Sequence, residues 1–157
     1  MKKLLGLTLV IASSLSHAST LLERALNCEL QDSELKNLIQ TIAVQQPELE
    51  NPTAELATPS INLYELKTPI TAFGYTSTTV AVTPARIMLA IPAINTKDVV
   101  KKLKLTEDEY SPASRIVRPT VSVVSFKLSH ASLQGKTLVG CEYANPAAAT
   151  WIQSGSF

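Results

Sequence analysis

The sequence predicts an α+β domain in which an N-terminal helical hairpin packs on an antiparallel sheet of about 4–6 strands, with one further short helix. Three observations predict it. Two segments with helical periodicity come first, several strand-like segments separated by turns follow, and two cysteines stand far apart. Helices grouped before consecutive strands are typical of α+β domains, whereas alternating strands and helices would indicate a parallel sheet.

The helical hairpin is predicted to begin at Ser19 and to end near Gln45 or Gln46, because Pro47 disfavours helix at the residue before it. Asp32 and Ser33 are candidate caps of its second helix. Apolar residues recur at the helical period in both segments. They are Leu21, Leu22, Ala25, Leu26 and Cys28 in the first helix, and Leu35, Leu38, Ile39 and Ile42 in the second.

Strand-like segments follow a proline-containing stretch, residues 47–59, which we expect to be an irregular connection. Their β-branched and aromatic residues favour strands, and Gly74 suggests a bend within one of them. The segments cover residues 61–67, 71–82, 86–91, 119–128 and 136–143. The link from Thr83 to Ala85 is typical of a tight hairpin connection.

A third helix capped by Thr96 is predicted, with a polar face of four lysines: Lys97, Lys101, Lys102 and Lys104. We interpret these lysines as a solvated face, and a docking surface for an acidic partner is the alternative. Residues 106–112 are expected to form an acidic turn, and Trp151 to cover the edge of the core.

The N-terminus predicts a secretory signal peptide, residues 1–18, cleaved between Ala18 and Ser19. Its parts come in the order of an export signal: Lys2 and Lys3, then apolar residues 4–11, then small residues at Ser16 and Ala18. The apolar run is shorter than the roughly 20 residues that span a membrane, so no integral membrane segment is expected in the mature chain. The mature domain, residues 19–157, is predicted to be one soluble unit in the periplasm, or secreted.

Composition and charge limit the classes of partner. The chain is 45% hydrophobic and 17% charged, which favours a folded domain over a disordered one. Removal of Lys2 and Lys3 with the leader takes the formal net charge from +1 to −1. A near-neutral surface offers no electrostatic basis for binding nucleic acid, so the expected partner is another envelope protein.

The two cysteines, Cys28 and Cys141, are predicted to form a disulfide, because an even pair in an oxidising compartment is more often bridged than free. The chain-entropy model assigns a loop of this size a stabilisation on the order of 4–5 kcal/mol. Two buried thiols are the alternative. No metal site and no cofactor are expected, since His130 is the only histidine after cleavage and lacks ligand spacing with the cysteines.

No catalytic constellation is found, and the protein is predicted not to be an enzyme. His130 is interpreted as a turn histidine, and Glu142 as a strand residue that points away from the face of Cys141. The acids Glu48, Glu50, Glu107, Asp108 and Glu109 lie in polar stretches and are interpreted as solvated. The hydroxyl-rich segment 75–79 suits peptide or glycan contact and is equally ordinary for an exposed strand.

A leader, an N-terminal helix with Cys28, antiparallel strands and a closing Cys141 together resemble the layout of small disulfide-closed periplasmic proteins, a group that includes inhibitors and immunity-type proteins. The resemblance is one of format and transfers no residue roles. The leading hypothesis is therefore a non-enzymatic protein–protein interaction module of the cell envelope. The alternatives are a hydrolase acting on envelope polymers and a chaperone-like structural protein that recognises extended chains.

Overall fold

The computed structural model describes residues 20–31, 33–38, 47–57 and 60–144. The predicted signal peptide with its cleavage site after Ala18, the predicted cap Asp32, the second half of the predicted second helix and the tail with Trp151 lie outside these residues. In the described part of the chain, no helix is long and apolar enough to cross a membrane.

Three helices, two short 3₁₀ turns and seven strands make up the described structure, and the helices and strands have the following bounds. They are α1 (Leu21–Leu26), α2 (residues 33–38), β1 (Ala54–Ala57), β2 (Ser60–Ala72), β3 (Tyr75–Val82), β4 (Arg86–Pro92), α3 (Thr96–Leu103), β5 (Ala113–Arg118), β6 (Val121–Phe126) and β7 (Lys136–Tyr143). The 3₁₀ turns are Pro47–Leu49 and Ala131–Leu133.

All seven strands belong to one antiparallel sheet with the order β1-β2-β3-β4-β7-β6-β5. Strands β1 to β4 form one meander and β5 to β7 form a second. After β4 the chain passes through α3 to the far edge, and the second meander then returns until β7 pairs with β4. The pairing of β4 with β7 is therefore the only seam that joins the two meanders in the described sheet.

The fold is α+β with a disulfide, as predicted, but the expected number of strands is too low. Two strands were not predicted: β1 lies in the stretch expected to be irregular, and β5 lies between the predicted acidic turn and the strand at 119–128. The predicted strand 71–82 is divided by a turn at Phe73 and Gly74, whose φ angles are 53° and 72°. Asn95, and not Thr96, is the cap of α3.

The predicted helical hairpin is not established. Its first helix is present as α1, and residues 33–38 of its second helix are helical. Residues 39–46, which would complete the second helix, lie outside the described residues. Within the described part, Arg24 of α1 and Glu34 of α2 form a two-pronged ion pair, with nitrogen–oxygen distances of 2.6 and 2.9 Å.

Both faces of the sheet are apolar. The face toward the helices joins α1, α2 and α3 to residues such as Leu89, Val139 and Cys141. The opposite face buries a second cluster around Met88 and Leu138, which are 0% and 1% exposed. Because β4 and β7 contribute to both clusters, residues 87–91 and 137–141 are buried without interruption, a pattern expected of strands covered on both sides.

Local sequence explains how α1 begins and ends. At its start, the Thr20 hydroxyl accepts from the Glu23 amide and the Glu23 carboxylate accepts from the Thr20 amide, which is a capping box. At its end, the Cys28 amide donates to the Ala25 carbonyl, and the Glu29 amide donates to the Arg24 carbonyl. This is a Schellman motif with Cys28 in the left-handed position, at φ 62°.

The predicted disulfide between Cys28 and Cys141 is present. It joins Cys28, two residues beyond the end of α1, to the inner face of β7, across a sequence separation of 113. Arg118 at the end of β5 adds polar links to the same region, because its guanidinium donates to the carbonyls of Cys28 and Leu30. The C-terminal end of α1 is thus tied to both β5 and β7 of the second meander.

Candidate functional site

A cleft of about 590 Å³ opens where α2, the Pro47–Leu49 turn and the β3–β4 connection meet at one end of the sheet. Its floor is apolar. It is formed by side chains from every nearby element: Leu35 and Leu38, Leu49, Tyr64, Val82, Ile87 and Tyr143. The volume lies within the range of roughly 300–1,000 Å³ typical of ligand pockets.

The floor residues reach the cleft because of ordinary local patterns. Leu35 and Leu38 are one turn apart on α2 and are 3% and 1% exposed. Tyr64 and Ile87 lie on the helix-facing side of the sheet and belong to its larger cluster. The β3–β4 connection is closed by paired backbone hydrogen bonds between Thr83 and Arg86, of 2.8 and 3.4 Å, which fixes that wall of the cleft.

The rim of the cleft is polar. It is formed by Glu50, Asn51, Glu55, Ser60, Asn62, Thr83 and Arg86. Asn62 donates to the Tyr64 hydroxyl at 3.4 Å, so these two groups satisfy each other in part. The Thr83 hydroxyl accepts from the Ala85 amide at 3.2 Å, and among the described residues the Asn51 and Ser60 side chains have no hydrogen-bond partner.

The charges on the rim do not balance. Arg86 is already engaged, because its Nε lies 2.5 Å from the Glu142 carboxylate on the neighbouring strand β7. Among the described residues the ion pairs are Arg86–Glu142 and Arg24–Glu34, so neither Glu50 nor Glu55 is paired. Both of these carboxylates are exposed. The cleft mouth therefore carries two uncompensated negative charges.

The wall formed by α2 is held by the Arg24–Glu34 pair. The hydrogen bond from Arg24, followed by that from the Gln31 amide, lowers the pKa of the Glu34 carboxyl below its ordinary value. The same pair raises the pKa of Arg24. Both side chains are about one-third exposed, so this contact orders α2 more than it stabilises the fold.

On the opposite face of the sheet, Arg86 and Glu142 form a polar pair. Glu142 lies on the face away from Cys141, as alternation predicts, but it pairs with Arg86 and is half-buried. The Arg86 guanidinium also lies 5.4 Å from the centroid of the Phe126 ring. These contacts give Glu142 a structural partner and do not bring it near a second carboxylate.

A second, more open depression of about 730 Å³ lies beside the 106–112 turn. Glu107, Asp108 and Glu109 line it together with Tyr110, whose side chain is 90% exposed. The Asp108 carboxylate accepts from the Tyr110 amide at 2.8 Å, which is an ordinary turn contact. In the described ranges no group of three or more His, Cys, Asp or Glu side chains is arranged to hold a metal ion.

The other residues singled out in the sequence have local roles. His130 is exposed, and its Nδ1 accepts from the Ser132 amide at 3.2 Å, so it caps the Ala131–Leu133 turn. Lys102 lies with its Nζ 3.9 Å from the centroid of the Tyr75 ring. The remaining lysines of α3 are exposed.

The hydroxyl-rich segment of β3 is tied to neighbouring strands. Thr78 and Thr79 donate to the two oxygens of Glu65, the second at 2.9 Å. Lys136 donates to Thr79 at 3.3 Å. These bonds occupy hydroxyl groups that a glycan or peptide would otherwise use.

One edge of the sheet exposes apolar side chains. On β5, Ile116 is 74% exposed and Val117 is 44% exposed. The outer edge of this strand is partly occupied, because Thr106 pairs with Ser114 through two backbone hydrogen bonds. A bulge at Val117 interrupts the strand near its other end. Both features shorten the stretch of unpaired backbone N–H and C=O groups with which a partner strand could pair.

Sequence patterns alone did not predict the cleft. Its floor draws on α2, the Pro47–Leu49 turn and four different strands, so no single motif contains it. The only part of the cleft that the sequence indicates is the apolar stripe through Leu35 and Leu38. Comparison with known proteins finds no matching family model, no similar curated protein and no similar solved structure.

Proposed function

We propose that this chain is a non-enzymatic protein-binding module of the cell envelope, of the inhibitor or immunity type, and that the cleft beside α2 receives a segment of its partner. The observation that carries this proposal is the cleft itself, with its apolar floor and polar rim. Binding energy at protein interfaces concentrates where a side chain fills a desolvated pocket surrounded by polar contacts.

The rigidity of the surroundings supports the same function. Three walls of the cleft are fixed by covalent or polar contacts: the disulfide at Cys141 lies close in sequence to Tyr143, Arg24 holds α2, and the Thr83–Arg86 turn is closed by its own hydrogen bonds. A pocket that is formed before binding loses less conformational entropy on association. A pocket that is already formed therefore favours tight, stoichiometric binding of a partner.

The predicted location is consistent with the disulfide. A bridge of this kind persists in oxidising compartments, and the periplasm is one of them. The signal peptide at residues 1–18 and cleavage after Ala18 stay predictions. They are tested by N-terminal sequencing of the protein recovered from the envelope fraction, which should begin at Ser19.

A pair of matched variants tests the proposal. Ser60 lies on the rim of the cleft, whereas Ser129 is not among the lining residues of either cavity; both are exposed. We expect the tagged wild type and Ser129→Trp to retain one partner at near-equal stoichiometry from the envelope fraction. Ser60→Trp, which places an indole in the cleft mouth, should lose that partner while unfolding at the same urea concentration.

Three outcomes would contradict the proposal. A partner retained equally by Ser60→Trp places the interface elsewhere on the molecule. Catalytic turnover of an envelope polymer by the purified protein, at substoichiometric amounts, would replace the binding module with the hydrolase hypothesis. A partner bound through the β5 edge, and lost when Ile116 is changed to Asp, would favour recognition of extended chains.

A further inference from the structure

We infer that the segment received by the cleft is basic and apolar: an aliphatic or aromatic anchor residue flanked by lysine or arginine. The inference rests on the proposed function and adds the chemistry of the partner. Two features of the cleft carry it, the largely aliphatic floor and the unpaired carboxylates at the mouth.

The floor selects the anchor. Leu35, Leu38, Leu49 and Ile87 are aliphatic, and each is less than one-tenth exposed. A charged group lowered onto this surface would lose its hydration without gaining a partner, which is strongly unfavourable. An apolar side chain gains roughly 25 cal/mol for each Å² of apolar surface that it removes from water.

The mouth selects the flanking charge. Glu50 and Glu55 are exposed, line the cleft and have no ion-pair partner among the residues described. Arg86 is the single cation among the described lining residues, and it is neutralised by Glu142 at 2.5 Å. None of these lining residues is a lysine that would offset the two carboxylates. An approaching acidic segment would therefore be repelled, and a basic segment would be attracted and oriented.

The backbone geometry indicates recognition through side chains. The Thr83–Arg86 wall is a closed turn, so its backbone groups are already paired and cannot accept a partner strand. The open polar groups of the mouth are side chains such as those of Ser60 and Asn51. The cleft volume exceeds what a single side chain fills, so a short peptide segment is the appropriate occupant.

A random heptapeptide library, selected on the full chain with its disulfide intact and counter-screened on Ser60→Trp, tests the inference. We expect the enriched peptides to carry Leu, Ile, Phe or Trp with Lys or Arg within two positions. Enrichment of acidic or uncharged peptides, or the absence of any peptide that Ser60→Trp fails to bind, would overturn it.

A charge variant separates the inference from the proposed function. For the best peptide, Glu50→Gln with Glu55→Gln should weaken binding about 2- to 30-fold and flatten its salt dependence, as expected for two exposed ion pairs. Glu107→Gln with Glu109→Gln makes the same change of charge at the distant turn and should leave the affinity unchanged. The readout is fluorescence anisotropy of the labelled peptide.

The possible results are distinguishable. If Ser60→Trp abolishes binding while the Glu50 and Glu55 changes have no effect, the cleft is the interface and the basic character of the partner is wrong. If the distant Glu107 and Glu109 changes weaken binding as much as the Glu50 and Glu55 changes do, the effect depends on overall charge and the inference fails. If Ser60→Trp binds like the wild type, the proposed site itself is wrong.

Discussion

On the inner face of β7, the Tyr143 side chain is 3% exposed and its hydroxyl donates to the Ala25 carbonyl at 2.6 Å. Burial raises the pKa of this phenol above its ordinary value, and the nearby Arg118 opposes the shift only in part. The folded protein therefore holds Tyr143 in its neutral form at alkaline pH, where an unfolded chain would begin to ionise it at about pH 10.

The raised pKa predicts an alkaline limit of stability. A group whose folded pKa lies above its unfolded value contributes fully below the unfolded pKa, and its contribution falls as the pH rises beyond it. We expect the free energy of unfolding to fall above about pH 10. Tyr143→Phe should lose about 1 kcal/mol at neutral pH, from the hydrogen bond, and should show a shallower alkaline decline.

Urea unfolding from pH 8 to 11 measures both effects. The two cysteines are bridged, so thiol exchange does not complicate the experiment. Tyr75, whose pKa is also raised by burial, is the internal comparison, because Tyr75→Phe should change the alkaline slope less. Equal slopes for wild type and Tyr143→Phe would show that another group controls the alkaline limit.

At the scale of elements, the end of α1 combines a turn and a cross-link. Cys28 occupies the left-handed position that glycine usually takes in a Schellman motif. A residue with a Cβ atom is strained there by roughly 1–2 kcal/mol, and the strain is tolerated in the folded, bridged protein. Asn27, one residue earlier, anchors the β2–β3 turn, because its Oδ1 accepts from the Phe73 amide at 2.9 Å.

Two bridge-free variants isolate the strain. Cys28→Gly with Cys141→Ala and Cys28→Ala with Cys141→Ala both lose the disulfide, which should cost about 4–5 kcal/mol on the chain-entropy model. The glycine variant should be the more stable of the two by on the order of 1 kcal/mol, since only it is relaxed at a positive φ. Urea unfolding in the presence of sucrose provides the comparison, and equal stabilities would contradict the strain argument.

Elements whose sequence has a clear apolar periodicity could be predicted, whereas elements that depend on pairing with a neighbouring strand could not. The apolar face of α1 and the long apolar strands β4 and β7 follow from local pattern, but the end of α1 before Cys28 does not. Strand β1 is short and proline-flanked, so its pairing with β2 is what makes it a strand. Gly74 predicted a bend between β2 and β3, but the division into two strands was not predicted, because Phe73, which is not a usual turn residue, also adopts a positive φ there.

The site was less predictable than the fold. The stripe through Leu35 and Leu38 was visible, but its partners in the cleft come from segments far apart in the chain. Glu50 was interpreted as an ordinary solvated acid and Glu55 was not singled out, and only the arrangement of the sheet brings them to the mouth of one cleft. The pairing of Arg86 with Glu142 likewise depends on the β4–β7 register, which local pattern does not determine.

At the scale of the whole molecule, the seam between β4 and β7 holds the two meanders together. Gly140 lies in this seam opposite Met88. A Cβ atom at Gly140 would lie 2.2 Å from the Ile87 carbonyl oxygen and 2.5 Å from the Met88 Cα, both on the backbone of β4. Neither atom can move without shifting the strand, so the two meanders approach each other closely only because this residue is glycine.

Gly140→Ala should therefore lower the free energy of unfolding by about 3 kcal/mol, the upper part of the usual range for overpacking. Gly135→Ala is the control: its φ is +71°, but its Cβ would meet nothing within 4 Å. It should lose only about 1 kcal/mol, from backbone strain. Urea unfolding compares them, and a loss no greater for Gly140→Ala would contradict close contact at the seam.

The same seam and the disulfide make completion of the fold depend on the last strand to be synthesised. Cys28 and Cys141 are separated by 113 residues. At a synthesis rate of roughly 5–20 residues per second, Cys28 is synthesised about 6–23 s before Cys141. A chain truncated ahead of β7 keeps Cys28 as a lone thiol and lacks the strand that joins its meanders. Only a chain that includes β7 can form the disulfide. An oxidoreductase that binds unpaired thiols would therefore retain chains that end before β7.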